Sequence, residues 1–367
     1  MARIFLIGDI HLGLGYTAKD NSLTNYYKWL KIHKQYFDEF LFPLLEREIE
    51  SDSHIVLLGD LFDNRDVVTI DSHNYAFNTI LKLANLAPTH ILIGNHDMWN
   101  KSSAEVNSLK SFRFIPNVHI YDTPKKVIID DLKILFLPYI NNSAEQIKIM
   151  QDNVDCHYLF CHSDLNGARM HLTSVANRNM DKIDISEFSN FIKVFSGHIH
   201  IYQKNKNFTF VGNVFEMDRN DFENNKGIII LDTVDGSETF IENGVSPKFK
   251  KVLVISEKDV DNLVNLDFND HIDLSISSSL LVNNKKVSRK LDAILEKGRF
   301  ASVNHVNDII MGDDTDIKVD DVKIDQSYED IIGEYINVQN YSSDKIKDGI
   351  LTEFKNIIET YDKTYKK

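Results

Sequence analysis

The chain of 367 residues is long enough for one large domain plus one or two smaller ones, and 43% hydrophobic and 10% aromatic residues can form sizeable cores. A formal net charge of -14 and a pI near 5.4 argue against nucleic-acid binding by bulk positive charge, but not against a local basic groove or bound metal ions. Two cysteines, no signal-peptide pattern and no apolar run near the roughly 20 residues of a membrane span predict a soluble, cytoplasmic protein that does not enter membranes.

The first two thirds of the chain alternate strand and helix patterns. Buried strands are predicted over 3–7, 54–58 and 89–93, and helices over 26–50 and 72–86. This order is typical of parallel strands with helices outside the sheet. Further short elements are predicted as strands over 118–121, 127–129, 134–137, 157–160, 191–195, 201–204, 208–211 and 227–231, with a helix over 144–150. We predict an α/β sandwich of two sheets flanked by helices, over residues 1–244.

A loop signal at Gly244-Val245-Ser246-Pro247 marks a change of character. The strand and helix patterns that follow it predict a small α/β domain over 245–312. An acidic linker then leads into a C-terminal helical segment, together spanning 313–367. A helix beginning at Ser342 or Ser343 would carry one apolar face, and spacing alone allows that face to dock on its own domain or on a partner.

Five short polar segments each follow an apolar, β-favouring run. They are Gly8-Asp9-Ile10-His11, Gly59-Asp60-Leu61-Phe62-Asp63, Gly94-Asn95-His96-Asp97, Cys161-His162-Ser163-Asp164 and Gly197-His198-Ile199-His200. Together they supply five carboxylates, one amide and five imidazoles at strand ends, the edge where α/β sheets bind ligands. We expect the glycines before Asp9, Asp60, Asn95 and His198 to let the chain turn sharply.

This inventory fits a site for two metal ions with a spare histidine. Two ions about 3.5–4 Å apart neutralise phosphoryl oxygens and provide an oxygen nucleophile at neutral pH, which is what cleavage of a phosphate ester requires. Mixed carboxylate, amide and imidazole ligands suit Mn²⁺, Fe or Zn²⁺. Each segment alone is a weak signal, whereas the ordered set is specific.

The ordered series resembles the calcineurin-like metallophosphoesterase superfamily over residues 1–235. The resemblance implies that one ion is held by Asp9, His11 and His200, that Asp60 bridges both ions, and that the other is held by Asn95, His162 and His198. It also implies that His96 lies beside the phosphate without binding metal, where it protonates the leaving oxygen or stabilises the transition state. Asp97 would orient His96, with a turn or cap role as its alternative.

Within the superfamily, the chain is most similar to SbcD-type DNA repair and recombination nucleases. The similarity is carried by Asp9-Ile10-His11-Leu12-Gly13, by Gly59-Asp60-Leu61-Phe62-Asp63 and by the small domain after Ser246-Pro247, while Val211-Gly212-Asn213-Val214-Phe215-Glu216-Met217 resembles the phage version of this subunit. The resemblance implies an Mn²⁺-dependent exonuclease and endonuclease, with a small domain that caps the site and contacts DNA. It further implies a homodimer within a heterotetramer, in which the C-terminal segment docks on an SbcC-like coiled-coil ATPase.

Several assignments have alternatives. The predicted DNA contacts are Lys248, Lys250, Lys285, Lys286 and Arg289, for which a solvated basic face is the alternative. Several relatives carry histidine at the position of Asp63 and others carry aspartate, so no phosphate-contacting role is assigned to Asp63, which either supports a metal ligand or shapes its loop. Asp164 has the same two alternatives, of which loop shaping is the expected one. The same metal site also suits a phosphoesterase acting on a small molecule or a phosphoprotein, and a third possibility is an inactive scaffold, against which the complete ligand set argues.

Overall fold

The structure is a computed structural model that describes residues 3–16, 23–170, 182–266, 270–278, 280, 285–297, 300–306 and 352. By compactness the chain divides into Met1–Asp308 and Ile309–Lys367. The predicted C-terminal helices therefore lie outside the described residues, apart from Thr352. Across the described part of the chain, no helix combines the length and apolar character needed to cross a membrane.

The strands, in chain order, are β1 Arg3–Ile7, β2 His54–Leu57, β3 Thr89–Leu92, β4 Met98–Asn100, β5 Ser103–Asn107, β6 Val118–Tyr121, β7 Lys125–Ile129, β8 Leu132–Leu137, β9 Tyr158–His162, β10 Lys193–Gly197, β11 Gln203–Asn205, β12 Phe208–Phe210, β13 Gly227–Asp232, β14 Glu238–Glu242, β15 Phe249–Val254, β16 His271–Ser277 and β17 Phe300–Val306. The α-helices are α1 Thr24–Gln35, α2 Phe42–Glu48, α3 Ile70–Leu86, α4 Ser143–Gln151, α5 Glu257–Asn262 and α6 Lys285–Lys297. Short 3₁₀ turns cover Lys110–Phe114, Ile185–Phe188, Arg219–Asp221 and Leu263–Asn265.

Two six-stranded sheets form the larger part of the described structure. The first has the order β14-β13-β1-β2-β3-β6, in which β1, β2, β3 and β6 run parallel. The second has the order β11-β12-β10-β9-β8-β7, in which β8, β9, β10 and β12 run parallel. Within each sheet, the carboxyl ends of the parallel strands therefore lie along one edge. Ligands bind at this edge in sheets of this kind.

The layers follow from the two-residue period of the strands. Ile4 and Leu6 of β1 pack between the sheets, in a cluster that also holds Phe136 and Phe195 of the second sheet. Phe5 and Ile7 face the opposite way, into a cluster with residues of α1, α2 and α3. The outer face of the second sheet packs on α4 and the turn Ile185–Phe188. The two six-stranded sheets and their helices thus form a helix–sheet–sheet–helix sandwich, as the sequence predicted.

Several details differ from the prediction. The region expected to be one helix over 26–50 comprises α1, a π-helical segment over Tyr36–Leu41, and α2. The β4–β5 hairpin and strands β14 and β17 were not predicted. Strands β4 and β5 are largely exposed and β14 has no buried residue, so these three lack the buried apolar pattern on which the strand predictions rest.

The small domain has its own sheet and core. Strands β15, β16 and β17 pair in parallel, which requires crossovers, and α5 and α6 lie in two of the connections. Its core is formed by Val254, Val260, Leu263, Leu274, Ile276, Val287 and Leu291. A bidentate contact between Arg219 and Asp273, with distances of 2.6 and 2.9 Å, connects this domain to the loop before β13.

Candidate metal centre

The five polar segments converge at the carboxyl ends of strands from both sheets. Asp9, Asp60 and Asn95 follow β1, β2 and β3 in the first sheet, whereas His162 ends β9 and His198 follows β10 in the second. The two sheets face one another, so their strand ends form a single cluster of donors. The five polar segments therefore lie at strand ends, as predicted from the order of apolar and polar segments in the sequence.

The backbone at this edge is unusual at three of the predicted ligands. His11, Asp60 and His198 have φ values of 53°, 51° and 81°, in the left-handed region that side chains other than glycine rarely adopt. Such conformations cost on the order of 1–3 kcal/mol each and cluster at functional sites. The loops are also tied together, since the amides of Ile10 and His11 both donate to the Asp60 carbonyl at 3.1 and 3.0 Å. The sequence encodes a strained edge that aims these side chains inward.

The glycines before the ligands serve two purposes. Gly59 has a φ of 105°, as expected for a sharp turn. Gly94 has no left-handed φ, but a Cβ there would collide with the side chain and backbone of Asp60. Gly8 and Gly197 likewise lack a left-handed φ. A Cβ would collide with the Gly212 carbonyl at Gly8 and with the Asp9 carboxylate at Gly197. The expectation that all four glycines supply turning freedom is correct only for Gly59; the others permit close approach.

One group of donors, here called the first donor set, consists of Asp9, His11 and His200. The Nε2 atoms of His11 and His200 are 3.1 Å apart, and His200 Nε2 is 3.8 Å from Asp9 Oδ2. Asp9 is fully buried and His11 is 3% exposed, whereas the His200 side chain is 32% exposed. The three ligand atoms lie within 4.8 Å of one another, a separation compatible with one shared ion.

The second donor set consists of Asn95, His162 and His198. The Oδ1 atom of Asn95 lies 3.1 Å from His162 Nε2 and 2.7 Å from His198 Nδ1. His162 is fully buried, and Asn95 is 5% exposed. Asp60 lies between the two sets, because its Oδ2 is 3.3 Å from His162 Nε2 and 3.9 Å from His11 Nε2. Its Oδ1 accepts the amide of His96 at 2.7 Å, which holds the carboxylate between the two sets.

The donor chemistry fits two cations. His162 Nδ1 lies 2.7 Å from the Leu58 carbonyl, which can only accept, so Nδ1 carries a proton; when the ring is neutral, Nε2 therefore has the lone pair. That lone pair faces the oxygens of Asn95 and Asp60, which are also acceptors. A buried convergence of acceptors is stable only around positive charge. Mixed nitrogen and oxygen donors of this kind match divalent transition metals.

The pKa values report the same demand for positive charge. Burial alone would lower the pKa of His11 and His162, but Asp63 and Asp60 outweigh it at His11, and Asp60 and Asp9 do so at His162, so both pKa values rise to about 9. Burial raises the pKa of Asp9. At Asp60 burial opposes ionisation too, yet His162 and His11 hold its pKa well below the usual range. Burial and the adjacent His11 lower the pKa of His200 to about 3, so its ring is neutral.

His96 is half-buried beside both sets and is oriented by Asp63. Its Nδ1 donates to the main-chain carbonyl of Asp63, which leaves Nε2 as the nitrogen that can exchange a proton with a ligand. The Asp63 carboxylate lies 3.2 Å from His11 Nδ1. Asp63 therefore contacts both a predicted metal ligand and the predicted acid, and of its two sequence interpretations the structure favours support of a ligand.

Asp97 occupies a different position from the one its predicted role requires. Its carboxylate accepts the amides of Phe62 at 3.1 Å and Gly94 at 3.0 Å, and the residue is 2% exposed. Burial raises its pKa to about 7. The ring nitrogen of His96 is instead bonded to Asp63. The structure thus gives Asp97 the alternative role, as a turn residue that joins two ligand loops.

Asp164 supports His198, which is the less expected of its two predicted roles, and it is assisted by Lys182, which sequence reasoning missed. Asp164 Oδ2 is 3.3 Å from His198 Nε2, and its Oδ1 accepts Lys182 Nζ at 2.7 Å. Despite burial, these contacts with His198 and Lys182 hold the pKa of Asp164 below its usual range. A loop-shaping role was the expected one. The only sequence signal for support was the two-residue spacing from His162, which does not identify His198 as the partner.

The predicted DNA contacts are scattered over the small domain and partly engaged. Lys248 Nζ lies 3.0 Å from Glu242, and Lys250 Nζ lies 2.5 Å from Asp270. Arg289 is exposed on α6. Lys285 and Lys286 belong to the same helix, but their side chains fall outside the described residues. Exposed ion pairs are weak, so pairing leaves these lysines available to phosphates.

Comparison with known proteins gives a consistent family. Residues 2–202 match the calcineurin-like phosphoesterase family. Exonuclease subunit 1 of Enterobacteria phage T4 is 24% identical over 285 residues, which cover 76% of this chain and 79% of the phage protein. Protein 244L of invertebrate iridescent virus 6, named as a phosphoesterase, is 29% identical over 242 residues, covering 62% of this chain and 75% of its own. Protein 078R of invertebrate iridescent virus 3, also named as a phosphoesterase, is 28% identical over 40% of this chain and 42% of its own.

The family match covers more than half of the chain and ends just beyond His200, so it contains every predicted metal ligand. The fold and the clustered donors are those expected for such an enzyme. The chain belongs to the calcineurin-like phosphoesterase family and is a hydrolase of phosphate esters that uses divalent metals.

Proposed function

We propose that this protein is the nuclease subunit of a DNA recombination and repair complex, and that it hydrolyses DNA phosphodiester bonds as an exonuclease and endonuclease. The observation that carries the proposal is the pair of donor sets that share Asp60, with His96 beside them. Such a pair supports in-line displacement at a phosphate, because both the attacking and the leaving oxygen are stabilised.

Two divalent ions, which we propose to be Mn²⁺, would neutralise the phosphate and supply the nucleophile when bound. Asp9, His11, Asp60 and His200 would hold one, and Asp60, Asn95, His162 and His198 the other. Asp63 and Asp164 hold His11 and His198 by the ring nitrogen opposite the donor atom, which fixes the orientation of each ring.

His96 is the proposed general acid. With its Nδ1 proton committed to the Asp63 carbonyl, a second proton on Nε2 is the one available to the leaving oxygen of DNA. Burial lowers the pKa of His96, which makes the protonated ring a stronger acid. A cleft of about 320 Å³ lined by Asp60, Asn95, His96, His198, His200 and residues of the Asp218–Asp221 turn gives a phosphate access to this group.

DNA is favoured over a small molecule by the reach of one relative. The alignment with the phage exonuclease subunit spans 285 residues, which is longer than the proposed nuclease domain of residues 1–244, whereas the alignment with protein 244L spans 242 residues. The likeness therefore includes residues beyond the catalytic part of the chain. The alternative, a phosphoesterase acting on a small molecule or a phosphoprotein, is supported by the two iridescent virus proteins, whose names state only that activity.

Partners are proposed on the same basis. Residues 1–244 would be the nuclease domain, residues 245–312 the capping domain that contacts DNA through Lys248, Lys250, Lys285, Lys286 and Arg289, and residues 313–367 the segment that docks on an SbcC-like coiled-coil ATPase. Homodimer formation is supported by exposed apolar residues on α3, namely Ile70, Phe77 and Leu81. It is also supported by Phe114, which is 89% exposed on the turn whose Phe112 contacts Phe77. A patch of this kind marks an interface more often than a solvated surface.

The decisive experiment compares linear duplex DNA with bis-p-nitrophenyl phosphate, with Mn²⁺ and with EDTA, in the presence and absence of the ATPase. We expect metal-dependent cleavage of both substrates, and stimulation on DNA by the ATPase. Cleavage of the small diester without any cleavage of DNA, even with the ATPase, would support the alternative. Deleting the residues after Asn340 should abolish ATPase binding in a pull-down but leave hydrolysis of the small diester intact.

A further inference from the structure

A buried ion pair lies next to the first donor set. Lys226 directly precedes β13, and Asp221 ends the turn Arg219–Asp221. The two residues are 5% and 3% exposed, and Lys226 Nζ contacts Asp221 Oδ1 at 2.5 Å. Burying two charges is costly, and a buried pair seldom improves stability over an apolar pair of similar size. Stability alone therefore does not account for this pair.

The pair contacts the main chain of a metal ligand. Lys226 Nζ donates to the His200 carbonyl at 2.8 Å. The amide of Asn213 donates to the same carbonyl at 3.2 Å. Asp221 Oδ2 in turn accepts Asn213 Nδ2 at 3.0 Å and the amide of Met217 at 2.8 Å. Both groups that hold the His200 carbonyl are thus fixed by one carboxylate.

His200 depends on such contacts more than the other histidine ligands do. It lies three residues beyond the end of β10, and 32% of its side chain is exposed. The rings of His11, His162 and His198 each have a protein acceptor beside the nitrogen opposite their donor atom. The His200 ring lies against the other donors of its set, His11 and Asp9, and its contacts with described residues outside that set are those to its carbonyl.

Asp221 borders the cleft of the metal centre, yet it does not act as a further ligand. One of its oxygens is held by Lys226, and the other accepts Asn213, Met217 and, at 3.4 Å, the amide of Asp218. With both oxygens engaged in this way, the carboxylate organises the Asn213–Asp221 segment rather than the ion. This assignment also accounts for the Val211–Met217 motif, which the metal ligands alone leave unexplained.

We propose that Lys226, paired with Asp221, is a positioning residue that sets the place of His200 in the first donor set. The proposal rests on the assignment of two metal ions under the proposed function. It predicts a selective effect, because Lys226 contacts a ligand of the first set and none of Asn95, His162 and His198. Supporting contacts around metal ligands typically change metal affinity about 10- to 100-fold.

The test is a titration of Mn²⁺ into the full-length, metal-free protein, followed by electron paramagnetic resonance and calorimetry. For Lys226→Met we expect one ion to bind as in the wild type and the other about 10- to 100-fold more weakly, so that the signal of a coupled Mn²⁺ pair appears only at higher Mn²⁺. His200→Ala provides the reference for loss of the first set. Lys226→Arg, which keeps a cationic donor, should restore much of the affinity.

The matched control is Lys193→Met. Lys193 lies on β10, the strand that leads to His198 and His200. It forms an ion pair with Glu238 that contacts no predicted metal ligand, and the side chains of Lys193 and Glu238 are 21% and 12% exposed. We expect this variant to keep both affinities, although its Tm falls. If Lys226→Met destroys folding, the double variant Asp221→Asn, Lys226→Met removes the unpaired buried charge and takes its place.

Three outcomes distinguish failure of the positioning role of Lys226 from failure of the two-metal assignment. Wild-type affinities at both sites in a folded Lys226→Met or double variant would overturn the positioning role. Equal weakening of both ions would overturn it too, because it would show general loosening. If the wild type itself binds fewer than two ions, the two-metal assignment fails, independently of Lys226.

Discussion

The two donor sets differ in how their histidines are held. In the second set, His162 is fully buried and His198 lies against Asp164, so both rings are fixed by direct contacts. In the first set, His200 is 32% exposed and is held through its main-chain carbonyl. A preorganised site loses less entropy on binding, so we expect the second set to bind its ion more tightly. The position of His200, and with it the metal affinity we expect of the first set, depends on residues outside the set such as Lys226.

Asp60→Asn gives the largest expected effect because it tests whether the two sets work as one centre. The substitution removes the charge that both sets share. The side-chain oxygen of the new asparagine can still accept the hydrogen bond from the His96 main-chain N–H. Hydrolysis of DNA and of bis-p-nitrophenyl phosphate should both fall about 10⁴-fold, equivalent to about 5.5 kcal/mol. Metal analysis after gel filtration should show loss of both ions. Retention of one tightly bound ion would mean that the sets are independent.

His96→Ala separates proton transfer from metal binding. The variant should keep both ions, and cleavage of DNA should fall about 10³-fold, because the alkoxide that leaves DNA needs a proton. The p-nitrophenolate of bis-p-nitrophenyl phosphate leaves without one, so its release should fall about 10-fold or less. His119→Ala, which changes an exposed histidine on β6, is the control for both substrates. Equal losses on both substrates would assign His96 to transition-state stabilisation instead.

A mirrored pair of variants sharpens the comparison between the sets. Asp63 supports His11 in the first set, and Asp164 supports His198 in the second. Asp63→Asn should weaken one ion about 10- to 100-fold, and Asp164→Asn should weaken the other by a similar factor. Mn²⁺ titration of the two variants and of the double variant measures this. If both single variants weaken the same ion, the division into two sets is incorrect.

Much of the centre could be predicted from the sequence because its signal is local. Polar residues directly after a buried apolar run must lie at a strand end, and parallel strands bring those ends together. Asp9, Asp60, Asn95, His162, His198 and His200 all lie where this reasoning places them. The order of strands and helices gave the sandwich for the same reason.

The supports around the ligands could not be predicted in this way. The hydrogen bond from His96 to the Asp63 carbonyl, the contact of Asp164 with His198 and the burial of Lys226 depend on loops that meet only in the folded chain. Asp97 shows the limit most clearly, since its position next to His96 in the sequence suggests a contact that the backbone directs elsewhere. Long-range pairing of single polar residues leaves no periodic signal.

The smallest expected effect concerns Glu216, which lies in the Asn213–Asp221 segment that supports the first set. Its Oε2 accepts the Phe249 amide of the small domain at 2.5 Å, the residue is 4% exposed, and burial raises its pKa from 4.5 to about 7. A carboxyl with a raised folded pKa stabilises the protein below its unfolded pKa, and this contribution is lost as the pH rises through 7. The loss should be at most about 3 kcal/mol.

Glu216→Gln removes the titrating group, so the free energy of unfolding should change less between pH 5 and pH 8 than in the wild type, and the variant should be the more stable of the two at pH 8. Urea unfolding of the metal-free proteins measures this, with Glu242→Gln, an exposed residue paired with Lys248, as the control. Equal destabilisation of Glu216→Gln at both pH values would show that the ionised carboxylate is required to hold Phe249. In that case, the segment beside the first donor set would be tied to the small domain by a charge rather than by a neutral hydrogen bond.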